Sequence, residues 1–168
     1  HLFFLARRKC ILFAHAKTYY AFVAYGLKRE DMCRLDEVFR VNLGRRLYED
    51  GFSPDAIKKA LAATDTVTYG RANDRHVLST MNQMIYEFGA CLDTYGFVTQ
   101  QTLKKSADLL PRTPHKQGCD YIIPLEEMWP FLEEKYPVSK AQAKEIAQQC
   151  LSQRKCRIFA VTGQLPER

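Results

Sequence analysis

The chain has 168 residues, 46% apolar and 26% charged, and its 25 Lys and Arg against 19 Asp and Glu give a net charge of +6. That balance excludes a disordered or fibrous chain and suits one globular domain, or one domain with a helical appendage. The positive excess favours polyanionic partners, such as nucleic acid or an acidic protein face.

In chain order, residues 2–6, 10–14 and 19–25 are short aromatic and β-branched runs separated by the basic or polar turns "RRK" and "HAKT". Short apolar runs with tight links read as an antiparallel meander whose faces helices must cover. The same region is too often interrupted, by Arg7, Arg8, Lys9, His15 and Lys17, to span a membrane, and its charges lie inside the apolar run rather than before it as in a signal peptide. Because the chain starts within a strand-like run, natural residues upstream of His1 are expected.

From residue 28 the period changes. Met32, Leu35, Val38, Phe39, Leu43 and Leu47 recur at helical spacing, and Gly51 is a stop signal. A second helix opens at Ser53 as N-cap with Pro54 at its first position. "TVTYGR", residues 66–71, alternates and predicts a fourth strand in the same sheet. The next helix begins at Asn73 as cap and carries Val77, Leu78, Met81, Met84, Ile85, Phe88 and Leu92 on one stripe to Gly96. A helix capped by Thr99 follows, then a proline-rich loop over 111–124, then a helix that Pro130 should kink or split. A last helix capped by Ser139 and a final strand "CRIFAV" complete the pattern, and "RKCRIFA" (154–160) echoes "RKCILFA" (8–14). The fold class is α+β: a small antiparallel sheet, meander plus fourth strand, packed with helices. Residues 1–96 form the core unit, and 97–168 a mainly helical extension of the same or a second domain.

Six cysteines, at 10, 33, 91, 119, 150 and 156, include no C-x-x-C pair, so they read as reduced thiols of a cytoplasmic protein rather than a zinc or redox motif. No H-E-x-x-H, G-x-S-x-G, P-loop or G-x-G-x-x-G is present, and neither a catalytic set nor a metal or cofactor site is assigned. The candidate binding residues fall in two places. Arg8 and Lys9, with Lys17 in the following turn, form one basic edge if the meander turns are neighbours. Arg71, Asn73, Arg75 and Asn82 converge on the start of the third long helix, where backbone N–H groups and two arginines make an anion site; Arg75, Ser79, Asn82 and Tyr86 share a face there. Arg112, His115 and Lys116 in the 111–124 loop, "QRKCR" at 153–157, and Tyr19, Tyr20, Tyr25 and Tyr69 as stacking aromatics are further candidates.

"RRKCILFAHAKTYYAF" and "RANDRHVLSTMN" resemble two signature stretches of an uncharacterised bacterial domain family, of the forms R-K-C-L-L-F-x-x-x-K-T and K-T-N-D-R-S-V-L-G-S-M-N. Arg8, Lys9, Cys10, Leu12, Phe13, Lys17 and Thr18 fit the first, and Asn73, Asp74, Arg75, Val77, Leu78, Met81 and Asn82 the second. Arg71-Ala72, His76 and Ser79 depart from it, and Ser79 replaces a glycine that would permit close packing. The resemblance covers residues 1–95 and implies one fold unit and no mechanism. The expected function is a basic, non-catalytic module that binds nucleic acid. The alternatives are a regulatory or inhibitory protein docking on an acidic protein surface, and an enzyme with a pocket at the Asn73 helix start.

Overall fold

The computed structural model describes residues 1–135 except Arg71 and Asn73. The helix expected from Ser139, the final strand with its echo of residues 8–14, and the basic run at 153–157 lie outside the described residues, as do Arg71 and Asn73 themselves.

The meander is present as β1 (Leu2–Leu5), β2 (Arg8–Ala14) and β3 (Ala21–Leu27), antiparallel in the order β1-β2-β3. Leu5 pairs with Arg8, which leaves a two-residue turn with positive φ at both Ala6 (46°) and Arg7 (62°). This is the mirror-image turn whose twist matches the flanking strands. Between β2 and β3 the register runs Lys9↔Leu27, then Cys10↔Tyr25. The extra residue is Gly26, at φ 74°, which makes a glycine bulge that sharpens the twist at that end of the sheet.

Strand alternation separates two cores. Leu12, Ala14, Ala21, Val23 and Tyr25 belong to one face, Phe13, Tyr20 and Phe22 to the other. The first face is covered by α4 (Arg75–Thr94), through Met81, Met84, Phe88 and Leu92, and by α5 (Gln100–Leu109) through Leu103. The second is covered by Leu43 and Leu47 of α2 (Leu35–Glu49), Ala60 of α3 (Pro54–Ala62), and Met128 and Leu132 of α6 (Pro124–Lys135). Helices on both faces explain why the strands read as near-continuous apolar runs. Leu103, Leu110, Met128 and Leu132 sit in the same two clusters as the meander residues.

Several sequence signals hold locally. Ser53 Oγ accepts from Ala56 N at 3.2 Å with Pro54 next to it, and Thr99 and Thr102 cap α5 reciprocally. Gly51, at φ 88°, ends α2: its N–H donates to Tyr48 O (3.1 Å) and Phe52 N–H to Leu47 O (3.0 Å), the paired bonds of a Schellman motif.

Other expectations are corrected. The helical pattern of residues 28–51 divides into a single turn, α1 (Arg29–Met32), and α2, without a proline or glycine at the break. Residues 66–70 pair with no strand; all are exposed, Val67 and Tyr69 by 40% and 70%, and they flank a groove with Phe13, Leu35 and Phe39. Two apolar residues in alternation bury too little to hold a strand on the sheet edge. The 111–124 loop contains a 3-10 turn (Leu110–Arg112) and a hairpin of β4 (His115–Gln117) and β5 (Asp120–Ile122), with Gly118 at φ 64° in its two-residue turn. α6 continues through Pro130 as one helix.

Candidate functional site

The β1–β2 turn and the bulge gather cations at one end of the sheet. Arg7 occupies the turn, Arg8 and Lys9 begin β2, and because Lys9 pairs with Leu27, Lys28 and Arg29 follow at the same end. All five are exposed, and none is in an ion pair among the described residues. Tyr25 stands among them: burial raises its pKa, the neighbouring Cys10 adds to this, and the Arg8 charge pulls the other way. Asp31 is turned inward to the backbone, accepting from Lys28 N at 2.7 Å. The Cys10 thiol is fully buried, and burial pushes its pKa up, so it stays a protonated core group rather than a nucleophile.

Arg8 and Lys9 are therefore together, with Arg7, Lys28 and Arg29 as the partners that sequence reasoning missed. The signal was available, since strand pairing across the meander brings the end of β3 beside the start of β2. Lys17 is not with them. Consecutive turns of a meander lie at opposite ends of their shared strand, and seven residues of β2 separate the two. Lys17 faces the hairpin instead, its carbonyl accepting from Gln117 Nε2 at 2.8 Å.

At the start of α4 the cap is Asp74, not Asn73: Asp74 Oδ1 accepts from His76 N (2.9 Å) and Val77 N (3.1 Å). A carboxylate satisfies the helix dipole better than an amide, so the start lies one residue later. It also occupies the N–H groups that an anion or a catalytic oxyanion would use. Arg75, Ser79, Asn82 and Tyr86 are all exposed, as their shared face requires, and Arg75 pairs with no carboxylate among the described residues.

Of the loop candidates His115 is buried, Lys116 is exposed, and Arg112, half in solvent, is held by an ion pair. Arg112 Nη2 donates to Asp50 Oδ1 at 2.8 Å, part of a network that sequence reasoning missed entirely. Asp50, with no exposed side-chain surface, also receives Tyr20 Oη (2.6 Å) and Arg46 Nε (2.8 Å), while Arg46 Nη1 donates to Asp108 at 2.6 Å. Burial alone would lower the Arg46 pKa; bonds from Asp50 and Asp108 outweigh it and hold the guanidinium above its ordinary value. Burial and the Asp50 charge raise that of Tyr20. The signal was two i,i+4 pairs, Arg46/Asp50 and Asp108/Arg112, but nothing in either says that they meet.

His115 is 2% exposed and neither ring nitrogen has a hydrogen-bond partner. Burial lowers its pKa, and the Glu87 charge opposes this. Glu87 Oε2 and Ser106 Oγ are likewise buried without partners, and both residues line a cavity of about 110 Å3 between α4 and α5. Serine, histidine and glutamate make no catalytic triad here, because a triad needs hydrogen bonds among them and these atoms have none. No group of three potential metal ligands occurs among the described residues. No helix among them is long and apolar enough to cross a membrane.

A three-stranded meander enclosed by helices, with a cationic end and an internal ion network, defines a small α+β domain. The chain belongs to the family of domains of unknown function DUF6933, whose model matches residues 1–127. The match takes in the meander, α1 to α5, the hairpin and the start of α6. No curated protein and no solved structure matches the chain.

Proposed function

We propose that this domain is a non-catalytic, cytoplasmic binding module that takes nucleic acid on the cationic end of its sheet. The observation that carries the reading is the convergence of Arg7, Arg8, Lys9, Lys28 and Arg29, exposed and free of ion pairs among the described residues. Five cations at one end of the sheet, outnumbering the adjacent Glu30 and Asp31, attract phosphates without sequence preference, and release of counterions makes such binding steeply salt-dependent. Tyr25, beside Arg8, supplies an aromatic edge next to the cations. Arg75 and Asn82 extend the polar surface of α4 but have no partner that defines a pocket.

The test is fluorescence anisotropy with labelled single-stranded and duplex oligonucleotides over a range of salt. Each cation that neutralises a phosphate contributes about 0.7 to the logarithmic salt slope on single strands and about 0.9 on duplex. Replacing Arg8 and Lys9 with alanine should flatten the slope by between one and two units. Lys17→Ala, at the other end of β2, should leave it unchanged. No affinity at low salt, or an equal effect of Lys17→Ala, refutes the reading. Salt-sensitive binding to one acidic protein with no nucleic-acid affinity transfers the same surface to protein docking.

A further inference from the structure

Phe4 stands 64% exposed on β1. Strand alternation turns its neighbours Phe3 and Leu5 into the first core, where Phe3 meets Phe88 edge-on at 6.2 Å. Phe4 points to the other face with Leu2, which is 46% exposed, and neither belongs to a core cluster. Among the described residues no other ring and no cation sits against the Phe4 ring. One exposed apolar side chain is ordinary. What singles out Phe4 is its surroundings. Register places it opposite Lys9, on the same face, and Lys9 opposite Leu27. With strands about 4.8 Å apart, Lys9 is one strand from Phe4, and Lys28, next after Leu27, is two strands away. Arg7 lies in the turn that ends β1. Tyr25, the other ring at this end, is partly buried in the first core on the opposite face.

We infer that the nucleic acid is single-stranded, and that one of its bases stacks on Phe4 while the flanking phosphates lie on Lys9, Lys28 and Arg7. This narrows, and rests on, the reading of the cationic end as a nucleic-acid surface. An aromatic side chain takes a base on its face without regard to sequence, and cations beside it follow the backbone. An exposed ring with lysine directly across the strand pair supplies both parts. A base has an open face only where it is unstacked, as in single strands, loops and ends. A duplex therefore offers phosphates to the cations and nothing to the ring. An anionic peptide or a lipid headgroup matches the cations as well, but it gives Phe4 only apolar contact, which leucine would supply equally.

The experiment is fluorescence anisotropy of the full chain with a labelled single strand of thymidylates, the same strand paired into duplex, and a strand of abasic sites with as many phosphates. Phe4→Ala should weaken binding of the thymidylate strand by about five- to 150-fold. The salt slope should stay where it was, since no charge is lost. Duplex and abasic affinities should not change. Because the side chain is exposed, the variant should fold, and its circular dichroism and melting temperature check this. Phe4→Leu keeps an apolar contact without the ring and should lose most of the same factor, whereas Phe4→Trp should keep the affinity. If Phe4→Ala binds the thymidylate strand as the unsubstituted chain does, while Arg8 and Lys9 still set the salt slope, stacking is overturned and the cationic reading survives. Full affinity in Phe4→Leu overturns it too, as does binding to phosphatidylserine vesicles in place of any strand, which gives the face to a membrane surface. If no strand binds at low salt, both readings fall.

Discussion

Asp50→Ala is the sharpest test of the internal network. The substitution removes an acceptor with no exposed side-chain surface, and with it bonds to Tyr20 Oη (2.6 Å), Arg46 Nε (2.8 Å) and Arg112 Nη2 (2.8 Å). Breaking a buried ion pair by deleting one partner costs about 3–5 kcal/mol, because the surviving charge is left desolvated. Here the lower end applies. Arg46 keeps Asp108 at 2.6 Å, and Arg112, with 42% of its side chain exposed, can turn to water. A loss of about 3 kcal/mol in a domain of this size lowers the melting temperature by roughly 6–12 °C. Urea denaturation followed by circular dichroism measures it, with an unchanged m-value as the sign that only stability moved. Arg46→Met combined with Asp50→Leu should cost less than the sum of the two single changes, since no buried charge is orphaned. A loss under about 1 kcal/mol for Asp50→Ala would mean that the network is solvated and would refute the reasoning.

Asp74→Ala should cost about 1 kcal/mol through loss of the α4 cap, measurable as a shift of the denaturation midpoint, and Arg75→Ala should cost less than half of that. His115 has a folded pKa depressed by burial below its ordinary 6.5. The unfolded chain therefore takes up a proton first, and stability should fall as pH drops through 6.5 and level off below the folded pKa. Replacing His115 with Phe should flatten the part of the urea-midpoint profile between pH 7 and pH 5 that this titration supplies. Native thiol titration should show Cys33 and Cys119, which are exposed, reacting fast and buried Cys10 reacting only on unfolding. In denaturant without reductant all six cysteines should titrate as free thiols.

What could be read beforehand was what repeats at short range. The meander, the stripe of Met81, Met84, Phe88 and Leu92, the caps at Ser53 and Thr99 and the stop at Gly51 each rest on residues a few positions apart. Strand periodicity in residues 66–70 was real as a pattern but had no partner to pair with. A strand is a tertiary object, whereas a helix closes its own hydrogen bonds. The α4 start was displaced by one residue because Asn73 and Asp74 are equally good caps by propensity, and only the carboxylate's match to the helix dipole separates them. Of the candidate site, Arg8 and Lys9 were legible as exposed turn charges. Their union with Lys28 and Arg29 depended on register, and the fate of Arg112 and His115 on which helices would cover the loop.

The Arg46–Asp50–Asp108–Arg112 network has a kinetic consequence. Its cross-links join residues 62 positions apart, whereas the hairpins of the meander close over a few. Distant contacts carry the larger loop-closure cost, and the buried pair Arg46 and Asp50 meets Asp108 only once α5 docks. These costs predict that the network is made after the rate-limiting step of folding and acts as a latch on the finished structure. In a chevron plot, Asp50→Asn should raise the unfolding limb and leave the refolding limb nearly where it was. A slowed refolding limb would place the ion cluster in the folding nucleus instead.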